Sequence, residues 1–286
     1  MNYLNDLYFK TSFKIANKVL ESKMSILSNY ALMVVKPETM LFQKLNILLN
    51  LIYANDFIII YCKKENINSA QTMTLWEPSW DNTTIERILL NQKLFELSNS
   101  LVLILKYVGS KKCIASEYLT FLKGSSNKEI RSKDSFREKL QSPNFLINFI
   151  HTSDDIENFI REIGIFFSCD KLLNIYNLIL NDYNKGNIEQ SRNICELLNN
   201  IINNTNKSNN SIDFDCDERF YVFLNNIKEK IHAEDKYINQ LLSKAYKNKR
   251  ISNELLWKLI KNGVIEWDID SLSILTLYTN YYVVDN

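Results

Sequence analysis

Four short apolar runs, separated by segments of helical spacing, constrain this chain more than anything else in it. They are ALMVV (31–35), FIIIYC (57–62), LVLILKYV (101–108) and LINFI (146–150). Runs this short, aliphatic, β-branched and aromatic without polar alternation, read as strands buried on both faces. The first stops at Lys36-Pro37, where the residue before proline is held extended and the chain leaves the sheet. Residues 39–54 carry a 3.6-residue period and read as a helix. Residues 82–97 read as a second helix with Asn82 or Thr83 as N-cap, and 112–122 as a third, closed by Gly124. After the fourth run, Asp154 or Asp155 caps a helix with Ile156, Phe159, Ile160, Ile163 and Phe167 on one face. This alternation predicts an α/β fold, and four strands at this spacing fit a ferredoxin-like split βαβ sheet.

The flanks have a different character. Residues 3–29 read as one or two helices, and SSNKEIRSKDS (125–135) as a long polar loop. Beyond residue 168, helical periodicity covers 170–182, 187–202, 218–232, 235–247 and 252–262, interrupted by the polar linker NNTNKSNNS (203–211). Only VIEW (264–267) and YTNYYVV (278–284) read as extended. At roughly 100–200 residues per domain, the 286 residues divide into a helical lead (1–29), an α/β domain (30–168) and a helical C-terminal domain (169–286).

Composition removes several functions. The five glycines, Gly109, Gly124, Gly164, Gly186 and Gly263, are too far apart for a G-x-G-x-x-G turn or a G-x-x-x-x-G-K-[ST] loop. Two histidines, His151 and His232, exclude a multi-histidine zinc site, so no protein-bound metal is expected. Five cysteines without a C-x-x-C pair read as reduced, buried thiols. No run reaches the roughly 18 apolar residues of a membrane span, and the N-terminus lacks a signal-peptide core. A cytoplasmic protein without membrane partners is expected. Lys+Arg 34 against Asp+Glu 33 argues against a nucleic-acid partner. The basic stretch KAYKNKR (244–250) reads as a solvated helix end, and His232 as structural.

His151 is the residue with chemical promise. Alone, a histidine closing a strand is an ordinary structural residue, and Lys36, Arg87 and Arg137 are ordinary surface or ion-paired cations. The segment NFIHTSDDIENFIREIGIFF (148–167), however, resembles the active-site segment of nucleoside diphosphate kinases, N-x-x-H-G-S-D-S-x-E-S-A-x-x-E-I-x-x-F-F. Asn148, His151, Ser153, Asp154, Glu157, Glu162, Ile163 and Phe166-Phe167 fall in register without a gap. Upstream, VVKPE is similar to the family's strand followed by K-P-D. Arg87-Ile88-Leu89-Leu90 stands where the family has R-P-F-F, and Gly124 to Arg137 keeps the spacing of its phosphate loop. The resemblance spans about residues 30–168.

That resemblance implies a nucleoside diphosphate kinase-like fold and a ping-pong phosphoryl transfer. His151 would attack the γ-phosphate of ATP or GTP and pass the phosphoryl, as phosphohistidine, to an acceptor. Glu162 would fix the imidazole tautomer beside the Ser153 hydroxyl, and Lys36, Arg87, Ser126 and Arg137 would hold phosphates. Asn148 would contact the ribose, Leu89 would stand at the base-stacking position, and Mg2+ would bridge the phosphates. Departures accompany the match. The family's second phosphate arginine falls near Thr120, in a helix without arginine. Leu89 replaces the stacking phenylalanine, Thr152 the glycine after the histidine, and Trp80-Asp81 an H-Y pair. These departures suggest altered nucleotide affinity or a different acceptor, and the helical extension suggests a specialised one, small molecule or peptide, with homo-oligomerisation left open. The alternative is a catalytically silent nucleotide-binding or scaffold protein whose helical part recruits a partner.

Overall fold

The first strand, β1 (Tyr30–Val35), is buried along its whole length, because it lies inside a sheet covered on both faces. In this computed structural model, which describes residues 3–185, 188–205, 217–231 and 235–279, the sheet has four strands. β1 is joined by β2 (Phe57–Glu65), β3 (Ser100–Tyr107) and β4 (Ile150–Thr152), in the order β2-β3-β1-β4. All three pairings are antiparallel. Each crossover, β1 to β2 and β3 to β4, skips one central strand, which is the split βαβ, ferredoxin-like arrangement. The β1–β4 register sets Val34 opposite His151.

The period-2 alternation of β1 divides the core. Ala31, Met33 and Val35 face one side, against α3 (Leu45–Ala54), α5 (Ile85–Glu96) and α6 (Ala115–Lys123). Tyr30, Leu32 and Val34 face the other, against α1 (Leu7–Leu20), α8 (Ile156–Phe166) and α9 (Cys169–Lys185). The approach of α1 to α8 depends on Gly164, where a Cβ would stand 2.5 Å from the carbonyl oxygen of Tyr8. The helices after α9 are α10 (Ile188–Thr205), α11 (Asp217–Lys230), α12 (Lys236–Asn248), α13 (Asn253–Lys261) and α14 (Ile269–Tyr278). Phe220, Leu224, Leu255, Leu272 and Leu275 from this group extend the first-face core. Among the described residues, no helix is long and apolar enough to cross a membrane.

Several expected elements are corrected. The single helix over 39–54 is two, α2 (Pro37–Leu41) and α3, because Gln43 turns left-handed at φ 56° between them. The N-cap of α5 is neither Asn82 nor Thr83 but Thr84, whose hydroxyl accepts from the Arg87 N–H. The run LINFI is mostly not strand: Phe149 stands at φ 66°, and β4 begins only at Ile150. Asp155, not Asp154, caps α8. Three helices had no forecast, one of them the short α7 (Phe136–Lys139). The others are α4 (Ser69–Trp76), started by an Asn68–Gln71 capping box, and α14. VIEW is not a strand. The end of α14 takes in Tyr278, and Thr279 makes an isolated bridge to Ile251. Most of the extended tail, most of the polar linker and His232 lie outside the described residues.

Candidate active site

Glu162 organises the site from the buried side of α8. One of its carboxylate oxygens lies 3.0 Å from His151 Nε2, and the other accepts from Ser153 Oγ at 2.6 Å. Glu162 is 3% exposed, so this pairing is shielded from water and fixes which imidazole nitrogen is engaged. The Trp76 ring packs against His151, with centroids 5.6 Å apart and planes at 74°. Nδ1 remains as the ring nitrogen with no protein hydrogen bond among the described residues.

His151 lines a cavity of about 260 Å³. Four cations line it too: Lys36 from the end of β1, Arg87 from the first turn of α5, Lys123 from the end of α6, and Arg137 from α7 (Phe136–Lys139). Asp154 is the one lining carboxylate among the described residues. Ser126, Asn148, Asn91 and the aromatic rings of Trp76, Trp80 and Phe145 complete most of the wall.

Two of the cations, Lys36 and Arg137, are held by backbone carbonyls of the loops that form the cavity. Lys36 Nζ donates to the Leu146 carbonyl at 2.6 Å and Asn148 Oδ1 at 3.3 Å, and pairs with Glu38 at 3.0 Å. Arg137 donates to the carbonyls of Gly124 and Ile150 at 2.9 Å and of Asn148 at 3.4 Å. Arg131 ties the 125–142 loop together through the carbonyls of Ser125, Ser126 and Ser142. Lys123 Nζ reaches Asp154 at 3.1 Å, while Thr120 bonds to Thr152 and Asp154 on the same helix face.

Phe149, two residues before His151, carries backbone strain worth about 1–3 kcal/mol. Three bonds hold it: its N–H donates to Glu38, and its carbonyl accepts from the Lys36 N–H and the Thr39 hydroxyl. The left-handed turn swings the chain from the loop that binds Lys36 into the strand that carries His151.

Burial sets the electrostatics. It lowers the pKa of Lys36 below the ordinary lysine value, with Glu38 opposing, and does the same to Lys123, with Asp154 opposing. Arg137 is pushed down to about 10 by burial and by nearby Arg131. Burial alone would raise Asp154, but Lys123 and His151 outweigh it and hold the carboxyl below its usual range. A cavity with four cations and one carboxylate favours a polyanion. Among the described residues no group of His, Cys, Asp and Glu could hold a metal ion, so any divalent ion there takes most of its ligands from elsewhere.

Of the residues expected from sequence, Lys36, Arg87, Ser126, Arg137, Asn148 and His151 line this one cavity. Glu162 and Ser153 sit behind His151. Leu89 is not part of the lining. Sequence reasoning does not find Lys123, because the helix expected over 112–122 stops one residue short of it. The signal was its position three residues after Thr120, on the same face of the helix.

No family model matches the sequence, and no curated protein matches it. Among solved structures, the chain is similar to the nucleoside diphosphate kinase of Aquifex aeolicus, at 18% identity over 49% of this chain and 95% of that one, TM-score 0.42. It is similar to the Encephalitozoon cuniculi nucleoside diphosphate kinase at 15% identity, covering 49% and 88%, TM-score 0.41. It is also similar to an NDP kinase from Pyrobaculum aerophilum at 13% identity, covering 51% and 98%, TM-score 0.40. Each likeness covers about half of this chain.

Proposed function

We propose that this chain is a phosphotransferase that carries a phosphoryl group on His151. The observation that carries the reading is the His151–Glu162 pair at 3.0 Å beside a cavity lined by Lys36, Arg87, Lys123 and Arg137. With Nε2 committed to Glu162, the lone pair of Nδ1 is the nucleophile. It attacks the terminal phosphorus of a nucleoside triphosphate, forming the N–P bond. The P–O bond to the leaving diphosphate breaks, and the electron pair departs on that oxygen. Such transfers need little covalent help from the protein, and positioning with charge stabilisation does most of the work.

Lys36, Arg87, Lys123 and Arg137 bind and orient the phosphates, and Ser126 contributes a hydroxyl. Glu162 stabilises the imidazole as its charge changes, and Ser153 fixes Glu162 in turn. Magnesium would be held mainly by the phosphates themselves, with Asp154 the one lining carboxylate that could add a ligand, and would supply neutralisation of the phosphate charge. In the second half-reaction an acceptor takes the phosphoryl from Nδ1. In this reading, residues 30–168 carry the chemistry in a cytoplasmic enzyme. Helices α13 and α14 buttress it, through Trp257 Nε1 donating to Glu86 at 2.6 Å and Asn144 donating to Thr276 at 3.2 Å.

One observation favours a second reading, a silent nucleotide-binding protein: Lys36 already has three protein acceptors. Incubation with γ-labelled ATP or GTP and magnesium separates the two. The enzyme reading expects label that is lost in acid and survives alkali. Nucleotide binding without such label supports the silent reading.

A further inference from the structure

We infer that the site recognises the phosphate chain and not the nucleoside, so that inorganic tripolyphosphate serves as a phosphoryl donor to His151. The inference rests on the reading of His151 as phosphoryl carrier and goes further, to the class of donor. At about 260 Å³ the cavity falls below the roughly 300–1,000 Å³ of pockets that enclose drug-sized ligands. Its charge comes from four cations against Asp154, which suits a short polyanion.

The lining side chains that could read a nucleoside already have protein partners. Asn148 uses both ends of its amide inside the protein, Nδ2 donating to the Phe145 carbonyl at 2.6 Å and Oδ1 accepting from Lys36. Leu89 is outside the lining. The Phe145 ring carries the Arg87 guanidinium 5.5 Å from its centroid, and Trp76 packs among His151, Phe95 and Trp80. A base stacking there would compete with these protein contacts.

The reacting atoms of the two donors are the same. Nδ1 attacks the terminal phosphorus of tripolyphosphate, the bond to the bridging oxygen breaks, and pyrophosphate leaves with the electron pair. The proton on Nε2 stays with Glu162, and the phosphohistidine is identical whichever donor formed it.

The test uses the full chain with magnesium and equal concentrations of tripolyphosphate or ATP, following acid-labile phosphorylation by intact mass. Phosphorylation by tripolyphosphate at a rate within tenfold of that with ATP, or faster, is the expected result. Phosphorylation by ATP with a tripolyphosphate rate more than tenfold lower overturns the inference and leaves the phosphohistidine reading standing. No phosphorylation by either donor overturns both.

Discussion

Arg161 donates from Nε to Asp6 at 2.6 Å, and this contact ties the N-terminal helix to the wall of the cavity. Asp6 is the N-cap of α1, and Arg161 is 1% exposed. The same guanidinium donates to the Thr74 carbonyl at 2.7 Å, two residues before Trp76, the ring against His151. Asp6→Ala removes a cap and leaves a buried guanidinium without its main counter-charge. Breaking a buried pair this way costs about 3–5 kcal/mol. Chemical denaturation should show a loss of that size, and a loss under about 1 kcal/mol would mark the pair as no more than a surface contact.

His151→Ala should abolish phosphoryl transfer and leave nucleotide binding within about threefold, under about 1 kcal/mol. The substitution removes the nucleophile, while the phosphate contacts belong to other residues. Labelling and calorimetry on the same preparation check both halves. Retained turnover would remove His151 from the reaction.

Affinity carried by phosphates makes base discrimination weak. ATP, GTP, CTP and UTP should bind within about 100-fold of one another, about 2.7 kcal/mol, and all should weaken steeply as salt is raised. Titration of the four nucleotides at two ionic strengths checks this. A larger preference for one base would reveal a base pocket outside the cavity lining.

The depressed lysines give opposite pH signatures for binding and stability. Lys36 and Lys123 titrate below 10.5, the ordinary lysine value, so in the folded protein their charge fades before that of exposed lysines. Anion affinity should therefore fall as pH rises toward that value. The unfolded chain binds these protons more tightly, so these two groups make stability rise with pH across the same window. Parallel calorimetry and thermal melts test the pair of trends. Affinity that holds constant up to pH 10.5 would mean that neither ammonium contributes to binding.

The sheet was legible because its signals are local. β1 and β3 are apolar runs without alternation, Lys36-Pro37 marks an exit, and Gly124 ends α6 at φ 77°. The errors occur where tertiary contacts decide. Phe149 takes a left-handed backbone that no propensity favours in a buried phenylalanine, because Glu38, Lys36 and Thr39 hold both its peptide groups. Gln43 splits a helix whose apolar period runs on past it. Most of the candidate site was visible as a register of matching residues. Lys123 and the Trp76–Trp80 wall were not, since their roles depend on how α6 packs against β4 and how the end of α4 and the turn after it approach His151.

A chain ending at residue 169 should fail to fold cooperatively. It would lose α9, whose Leu172, Ile175, Tyr176 and Ile179 bury one sheet face with α1, and the helices whose leucines extend the core on the other. Far-UV circular dichroism and a denaturation curve report the outcome. A cooperative transition in that fragment would establish that residues 1–169 stand without the helices that follow.

The most direct test of the central claim is which ring nitrogen carries phosphorus. Histidine labelled with 15N, followed by phosphorus–nitrogen coupling in the phosphorylated protein, reads this without reference to any acceptor. Glu162 at 3.0 Å from Nε2 predicts phosphorus on Nδ1 of His151, and no signal in His151→Ala. Phosphorus on Nε2, or on a serine or another residue, would contradict the account.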